Sequence, residues 1–159
     1  IKIFEKVNLE ISSKLIMVGD GPDKKKAKDY LRKNNLKNSV IFLGKTNEVD
    51  EILCSSDLFL LPSEKESFGL SALEAMALKV PVVSTNTGGL KELNINGNSG
   101  YTSEIGDIDS MASNAIKILS DKSLKKKYRS QAFENAKKYD IKKIIPLYEK
   151  IYDEALNIY

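Results

Sequence analysis

The 159-residue chain contains no histidine. That absence removes Ser-His-Asp and Cys-His nucleophilic schemes, together with the commonest metal ligand. A single cysteine, Cys54, rules out an internal disulfide and fits a reducing, cytoplasmic compartment. No apolar run approaches the roughly 18 residues that mark a membrane-spanning helix, and no signal-peptide pattern opens the sequence. Charge is nearly balanced, with 25 Lys plus Arg against 22 Asp plus Glu. A net +3 is too small to argue for a nucleic-acid partner. An initiating Met is missing too, and Ile1-Lys2-Ile3-Phe4 already carries a helical pattern, as though an element were entered partway. The sequence therefore reads as a fragment.

What is present is an ordinary globular profile, 42% hydrophobic and 30% charged. The length suits one well-cored domain over residues 1–159, with no repeat, low-complexity tract or linker to divide it. Residues 1 to 10 read as an amphipathic helix with Ile1, Phe4, Val7, Leu9 and Ile11 inward. Lys14–Val18 reads as a buried strand that ends at Gly19-Asp20-Gly21-Pro22, where glycine permits a tight turn and Pro22 suits a first helical position. The helix from Pro22 to Asn34 exposes Lys24, Lys25, Lys26 and Lys28, a solvated face. Strands follow at Ser39–Leu43, Leu58–Leu61 and Val80–Ser84, with Tyr101-Thr102 as a short final one. Helices lie between them, and Cys54 is expected to pack as a small hydrophobe in the one through Val49, Ile52 and Leu53. Beyond Asp107 the pattern is helical, ending in Ile141–Asn157 with Ile144, Leu147, Tyr148, Ile151, Tyr152 and Leu156 on its apolar face. Alternating strand and helix predicts an α/β, Rossmann-like, doubly wound parallel sheet with C-terminal helices.

In such sheets, ligands sit at the carboxyl ends of the strands. Every glycine-bearing loop of interest falls there: Gly19-Asp20-Gly21, Gly44-Lys45, Glu66-Ser67-Phe68-Gly69 and Thr87-Gly88-Gly89. Ser67-Phe68-Gly69-Leu70 precedes a helix-forming run, and free N–H groups at a helix start bind phosphate without a metal. Glu66 and Glu74 stand eight positions apart, a span of about 12 Å at helical rise. That span suits a nucleotide-sugar, with one carboxylate near the sugar and the other on the ribose hydroxyls. Both glutamates also suit an ordinary helix start, and spacing alone does not choose. Asp107-Ile108-Asp109 resembles an Asp-x-Asp metal site, but capping the next helix accounts for it. Lys125-Lys126-Lys127 reads as a solvated face, and Tyr139, Tyr148, Tyr152 and Tyr159 as packing.

Taken together, these stretches resemble a known family. Glu66-Ser67-Phe68-Gly69-Leu70 with Glu74-Ala75-Met76-Ala77 is similar to the Glu-x7-Glu signature of the retaining GT-B glycosyltransferases of family four. Val18-Gly19-Asp20-Gly21-Pro22, Phe42-Leu43-Gly44, Ser56-Asp57-Leu58, Pro81-Val82-Val83 and Gly88-Gly89-Leu90-Lys91-Glu92 follow the family's order and spacing. Lys79 and Leu78 depart from it, just past the motif. The resemblance implies the C-terminal, donor-binding half of a GT-B fold, truncated at its N-terminus and lacking the acceptor-binding domain. Glu66 would contact the donor sugar and carry the catalytic role. Ser67, Phe68, Gly69 and Leu70 would offer backbone groups to sugar and diphosphate, Glu74 would hold the ribose, and Gly44, Lys45 and Thr46 would read the uracil, with Gly19 beside them. A UDP-sugar is then a substrate, no cofactor or metal is expected, and a small hydroxyl acceptor binds mainly elsewhere. The implied diphosphate-binding Arg and Lys lie upstream of Ile1, and the whole enzyme leaves room for a homo-oligomer. The fuller string Ser63–Leu70 and the ending Lys143–Tyr152 narrow the implied substrates to GlcNAc as donor sugar and L-malate as acceptor.

Overall fold

Residues 1–156 are described by the structure, a computed structural model. Helix α1 (Lys2–Glu10) leads into β1 (Leu15–Val18), and α2 (Lys24–Lys33) with a 3-10 turn at Lys37–Ser39 leads into β2 (Val40–Gly44). Then come α3 (Val49–Cys54), β3 (Phe59–Leu61), α4 (Leu70–Ala77), β4 (Val82–Thr85), α5 (Leu90–Leu93) and β5 (Gly100–Ser103). Helices α6 (Ile108–Ser120), α7 (Lys122–Ala136) and α8 (Ile141–Leu156) close the described chain.

All described strand pairs are parallel, as the alternating pattern requires. Leu15 lies opposite Val40, Phe59 opposite Val82, and Val82 opposite Gly100. The ladder is nonetheless divided. β1 pairs with β2, β3–β4–β5 form a second sheet, and among the described residues no ladder joins β1 to β3.

Helices cover both faces of the second sheet because successive residues of β4 point to opposite sides. Val82 packs with Ala72, Ala75, Met76, Leu90, Leu93 and Ala132, beneath α4, α5 and α7. Its neighbour Val83 packs with Ile3, Val7, Met111, Ala115 and Ile118, beneath α1 and α6. A side chain of this size stabilises by about 1.5–3 kcal/mol when fully buried, and Met76, Leu90, Leu93, Met111 and Ile118 are essentially inaccessible. The first sheet is covered on one face only, by Phe4 of α1 and Leu31 of α2 against Val40, Leu15, Met17 and Phe42. Its other face leaves Ile16, Val18, Ile41 and Leu43 exposed.

Asn94, 1% exposed, ties the ends of β4 and β5 together. Its amide donates to the Val82 carbonyl (3.3 Å), the Ser84 hydroxyl (3.0 Å) and the Tyr101 carbonyl (3.0 Å), while its oxygen accepts from Ser99 (3.2 Å). A buried amide left without such partners would be costly, so this network fixes the turn after α5. Beside it, the Tyr128 ring meets Tyr101 edge-on at 5.3 Å. Burial, and then the bond to Tyr101, push the Tyr128 hydroxyl above its ordinary range.

Several expectations are corrected. Leu9 is 81% exposed, and Ile3 takes the inward place, one helical turn from Val7. Pro22 precedes α2 by two residues; Asp23 is its N-cap. Cys54 is exposed at the end of α3, because Leu53 fills the buried position beside it. No described residue of α8 is buried, so Tyr148 and Tyr152 project to solvent rather than pack. Asn157 and Tyr159 lie outside the described residues.

Candidate functional site

Strand β3 stops at Leu61 because Pro62 cannot donate to a ladder. The following loop, Ser63–Gly69, turns into α4 at Gly69, whose φ of +95° is in the left-handed region. A side chain there would also meet Leu90 Cδ2 at 2.5 Å. No side chain caps α4, which leaves the N–H groups of its first residues, Leu70 and Ser71, without a hydrogen-bond partner among the described residues. Glu66 is half-buried in the loop, with the Ser63 hydroxyl 3.5 Å from its Oε2. Glu74 is exposed, the fifth residue of α4 and so just over one turn in, not two. The helical estimate of the Glu66–Glu74 span fails for the same reason: only residues from Leu70 onward are helical.

A second loop, leaving β4, clamps the first. Thr85 Oγ1 donates to the Ser63 carbonyl at 2.6 Å, Thr87 Oγ1 to the Glu64 carbonyl at 3.4 Å, and Gly89 N–H to the Ser67 carbonyl at 3.1 Å. Contact is so close that a Cβ on Gly88 would sit 1.7 Å from the Glu66 carbonyl oxygen. One on Gly89 would sit 2.8 Å from Phe68 Cα. The Phe68 ring is held edge-on to Tyr139 at 5.4 Å. The acidic loop is thus braced from its far side, and its Glu66 end cannot shift without moving β4's loop.

The loops after β1 and β2 form a second pair. Gly19 N–H donates to the Gly44 carbonyl at 2.7 Å, and both glycines have positive φ. Thr46 Oγ1 accepts from Glu48 N–H at 3.1 Å, at the start of α3, and Lys45 lies exposed between. Asp20 accepts from Gly21 N–H at 2.9 Å and pairs with Lys24 at 3.3 Å. Those two contacts, the backbone bond first, hold its carboxyl below the usual range.

Of the expected site residues, Gly19, Gly44, Lys45, Thr46 and Glu66–Gly69 stand at strands' carboxyl ends, in two braced pairs of loops separated by the break between β1 and β3, while Leu70 and Glu74 lie on α4. Other candidates have structural duties. Asp107 caps α6 through Ser110 N–H (2.9 Å), Asp109 pairs with Lys6 (2.8 Å), and Lys125 pairs with Asp57 (2.8 Å). Sequence reasoning gave no role to Thr85, the brace on Ser63, or to Asn94. Two clefts flank α2. One, of about 280 Å³, is lined by Lys28, Leu31, Arg32, Lys37, Val40 and Phe42. The other is lined by Pro22, Lys25, Lys26, Asp29, Tyr30 and Lys33.

A parallel α/β unit with its small-residue loops gathered at the strands' carboxyl ends is Rossmann-like in architecture. The family described as glycosyl transferases group 1 matches residues 1–139, and the chain belongs to that family. It is 40% identical over 157 residues to N-acetyl-alpha-D-glucosaminyl L-malate synthase of Bacillus anthracis, a match covering 98% of this chain and 41% of the relative. Similarity to 2-deoxystreptamine N-acetyl-D-glucosaminyltransferase of Niallia circulans is 31% over 163 residues, covering 98% and 40%. Among solved structures, TarM of S. aureus, in a variant complexed with Fondaparinux, alpha-GlcNAc-glycerol and UDP, superposes with a TM-score of 0.86 at 25% identity. That likeness spans 95% of this chain and 31% of TarM. The chain covers about two-fifths of the curated relatives' length. Among its described residues, no helix is long and apolar enough to cross a membrane.

Proposed function

We infer that this chain is the donor-binding domain of a retaining glycosyltransferase that moves GlcNAc from UDP-GlcNAc to the hydroxyl of L-malate. One observation carries the reading: the uncapped start of α4, with Glu66 on the braced loop before it and Glu74 on the helix, in a chain 40% identical to a GlcNAc–malate synthase. The first-turn N–H groups and helix dipole suit the diphosphate. Glu74 accepts the ribose hydroxyls, and Ser67–Leu70 offer backbone groups to sugar and diphosphate. Glu66 orients the sugar and stabilises positive charge developing on its ring. Gly44, Lys45 and Thr46 read the uracil, with Gly19 behind them.

A UDP-sugar spans these contacts as substrate, and neither cofactor nor metal is needed. The leaving diphosphate takes the acceptor's proton on the same face, so configuration is retained and no enzymic nucleophile is required, in keeping with the absence of histidine. Catalysis is then positioning plus electrostatic stabilisation of the leaving group. By resemblance, an upstream Arg and Lys neutralise that group and a separate domain holds the acceptor, so the isolated chain binds donor without transferring it.

The test is UDP release by the full-length protein supplied with UDP-GlcNAc, with and without L-malate. Release that depends on L-malate is expected; no release would eliminate the specific assignment. A second reading, a cell-envelope enzyme with another acceptor, draws support from a 33% identical relative, poly(glycerol-phosphate) alpha-glucosyltransferase of Bacillus subtilis. Release that requires a polyol-phosphate acceptor would favour it.

A further inference from the structure

The carbonyls of the Ser63–Gly69 loop are turned towards the loop leaving β4. Those of Ser63, Glu64 and Ser67 accept from Thr85, Thr87 and Gly89. Across a trans peptide the N–H of the next residue points the opposite way. The N–H groups of Glu64, Lys65 and Phe68 therefore face away from β4's loop, and none has a backbone partner among the described residues. The two ends of the acidic loop are held separately. Gly89 N–H holds the Ser67 carbonyl beside the start of α4, whereas Thr85 holds Ser63, whose hydroxyl stands 3.5 Å from Glu66 Oε2. Thr85 is the last residue of β4 and 1% exposed. Packing alone does not call for a hydroxyl there, since valine has the same branched shape and already fills Val82 and Val83 of the same strand. The hydroxyl's one task is the 2.6 Å bond to Ser63, without which its burial would be costly.

We propose, resting on the donor-binding reading above, that Thr85 is a positioning residue for the donor's sugar, acting through Ser63 on the carboxylate of Glu66. Thr85 lies buried beneath the loop, so its effect on the sugar is indirect. Its hydroxyl fixes the Ser63 peptide, Ser63 presents its own hydroxyl to the carboxylate, and Glu66 keeps the orientation in which it meets the sugar. The diphosphate is held at the other end of the loop, by the first N–H groups of α4, which the Gly89 bond steadies. Thr85 therefore sets affinity for the sugar and leaves affinity for UDP to the helix end.

Calorimetric titration of UDP and UDP-GlcNAc into full-length variants tests this. Thr85→Val should weaken UDP-GlcNAc about tenfold and UDP by less than about twofold. Thr85→Ser, which keeps the hydroxyl, should bring UDP-GlcNAc back to within about threefold of the unaltered protein. In a Glu66→Ala background, Thr85→Val should weaken UDP-GlcNAc no further, because Thr85 acts through that carboxylate. A merely structural role would lower the melting temperature and weaken both ligands alike, or neither, and that result overturns the proposal. So does a serine variant as weak as the valine one, or an equal loss with and without Glu66. Should Thr85→Val fail to fold, Ser63→Ala decides, since it leaves the brace on the backbone in place. It should weaken UDP-GlcNAc about threefold with UDP unchanged, and any other pattern overturns the proposal. Unaltered protein that binds neither ligand removes the donor reading, and the role of Thr85 with it. Where the unaltered protein binds both, the donor reading stands whatever Thr85 does.

Discussion

Gly88→Ala is expected to lower stability by about 3 kcal/mol or more and to abolish UDP binding. The added methyl would lie 1.7 Å from the Glu66 carbonyl oxygen, inside any permissible contact. Its neighbour is backbone, not the end of a flexible side chain, so relief requires the Ser63–Gly69 loop to move bodily. Forced overpacking costs about 1–3 kcal/mol where side chains can give, and more where backbone must. The φ of +50° adds about 1–2 kcal/mol for a residue with a Cβ. For a domain of this size, such a loss lowers the melting temperature by roughly 6–12 °C. Circular dichroism melting and calorimetric titration with UDP measure the two effects. Gly97→Ala is the control: φ is +74° but nothing lies within 4 Å, so only the conformational part remains. Equal melting temperatures for the two variants would mean that the clamp on Glu66 is not tight.

Glu74→Ala is expected to act in the opposite way, on binding and not on folding. Glu74 is exposed on α4, and Ala is the best helix former, so stability should hold within about 0.5 kcal/mol. Hydrogen bonds to a charged acceptor contribute about 1.5–3 kcal/mol each. Losing the ribose contacts should therefore weaken UDP at least about tenfold. Because the ribose belongs to UDP, UDP and UDP-GlcNAc should weaken by the same factor. Glu66→Ala should instead weaken UDP-GlcNAc more than UDP, since its contacts are to the sugar. Calorimetric titration of both ligands into the full-length variants separates these outcomes. UDP affinity unchanged by Glu74→Ala removes its ribose role, and equal weakening of both ligands by Glu66→Ala removes the division of labour.

Much of this was legible in residue order. Leu58–Leu61 announced a strand as a short apolar run and Val80–Ser84 as a β-branched one, and Asp107 announced the start of α6 through its capping side chain. The loops at the strand ends were legible because glycine is needed where φ is positive, as at Gly19, Gly44 and Gly69. What local pattern could not convey was which loops touch. Thr85 bracing Ser63, and Gly88 pressed against Glu66, are contacts between segments over 20 residues apart. Asn94 carried no signal in the sequence, yet its side chain is buried among carbonyls of β4 and β5. Cys54 and Leu9 were misplaced because apolar character sets a tendency to bury, while helical phase sets which residue does. The division of the sheet was invisible for a different reason. Alternating strand and helix says that the strands run parallel, but not which of them pair, so the gap between β1 and β3 left no mark in the pattern.

The central claim is that UDP is held at the carboxyl ends of the strands and not in the basic clefts flanking α2. The most direct measurement is a nitrogen–proton NMR titration of the 159-residue chain with UDP, followed at assigned backbone amides. Shifts centred on Gly19, Gly44, Ser67, Phe68, Gly69, Leu70 and Glu74 are expected, with Lys28, Arg32 and Lys37 unmoved. Shifts confined to Lys28, Arg32 and Lys37 would place the nucleotide in the α2 cleft and contradict the account.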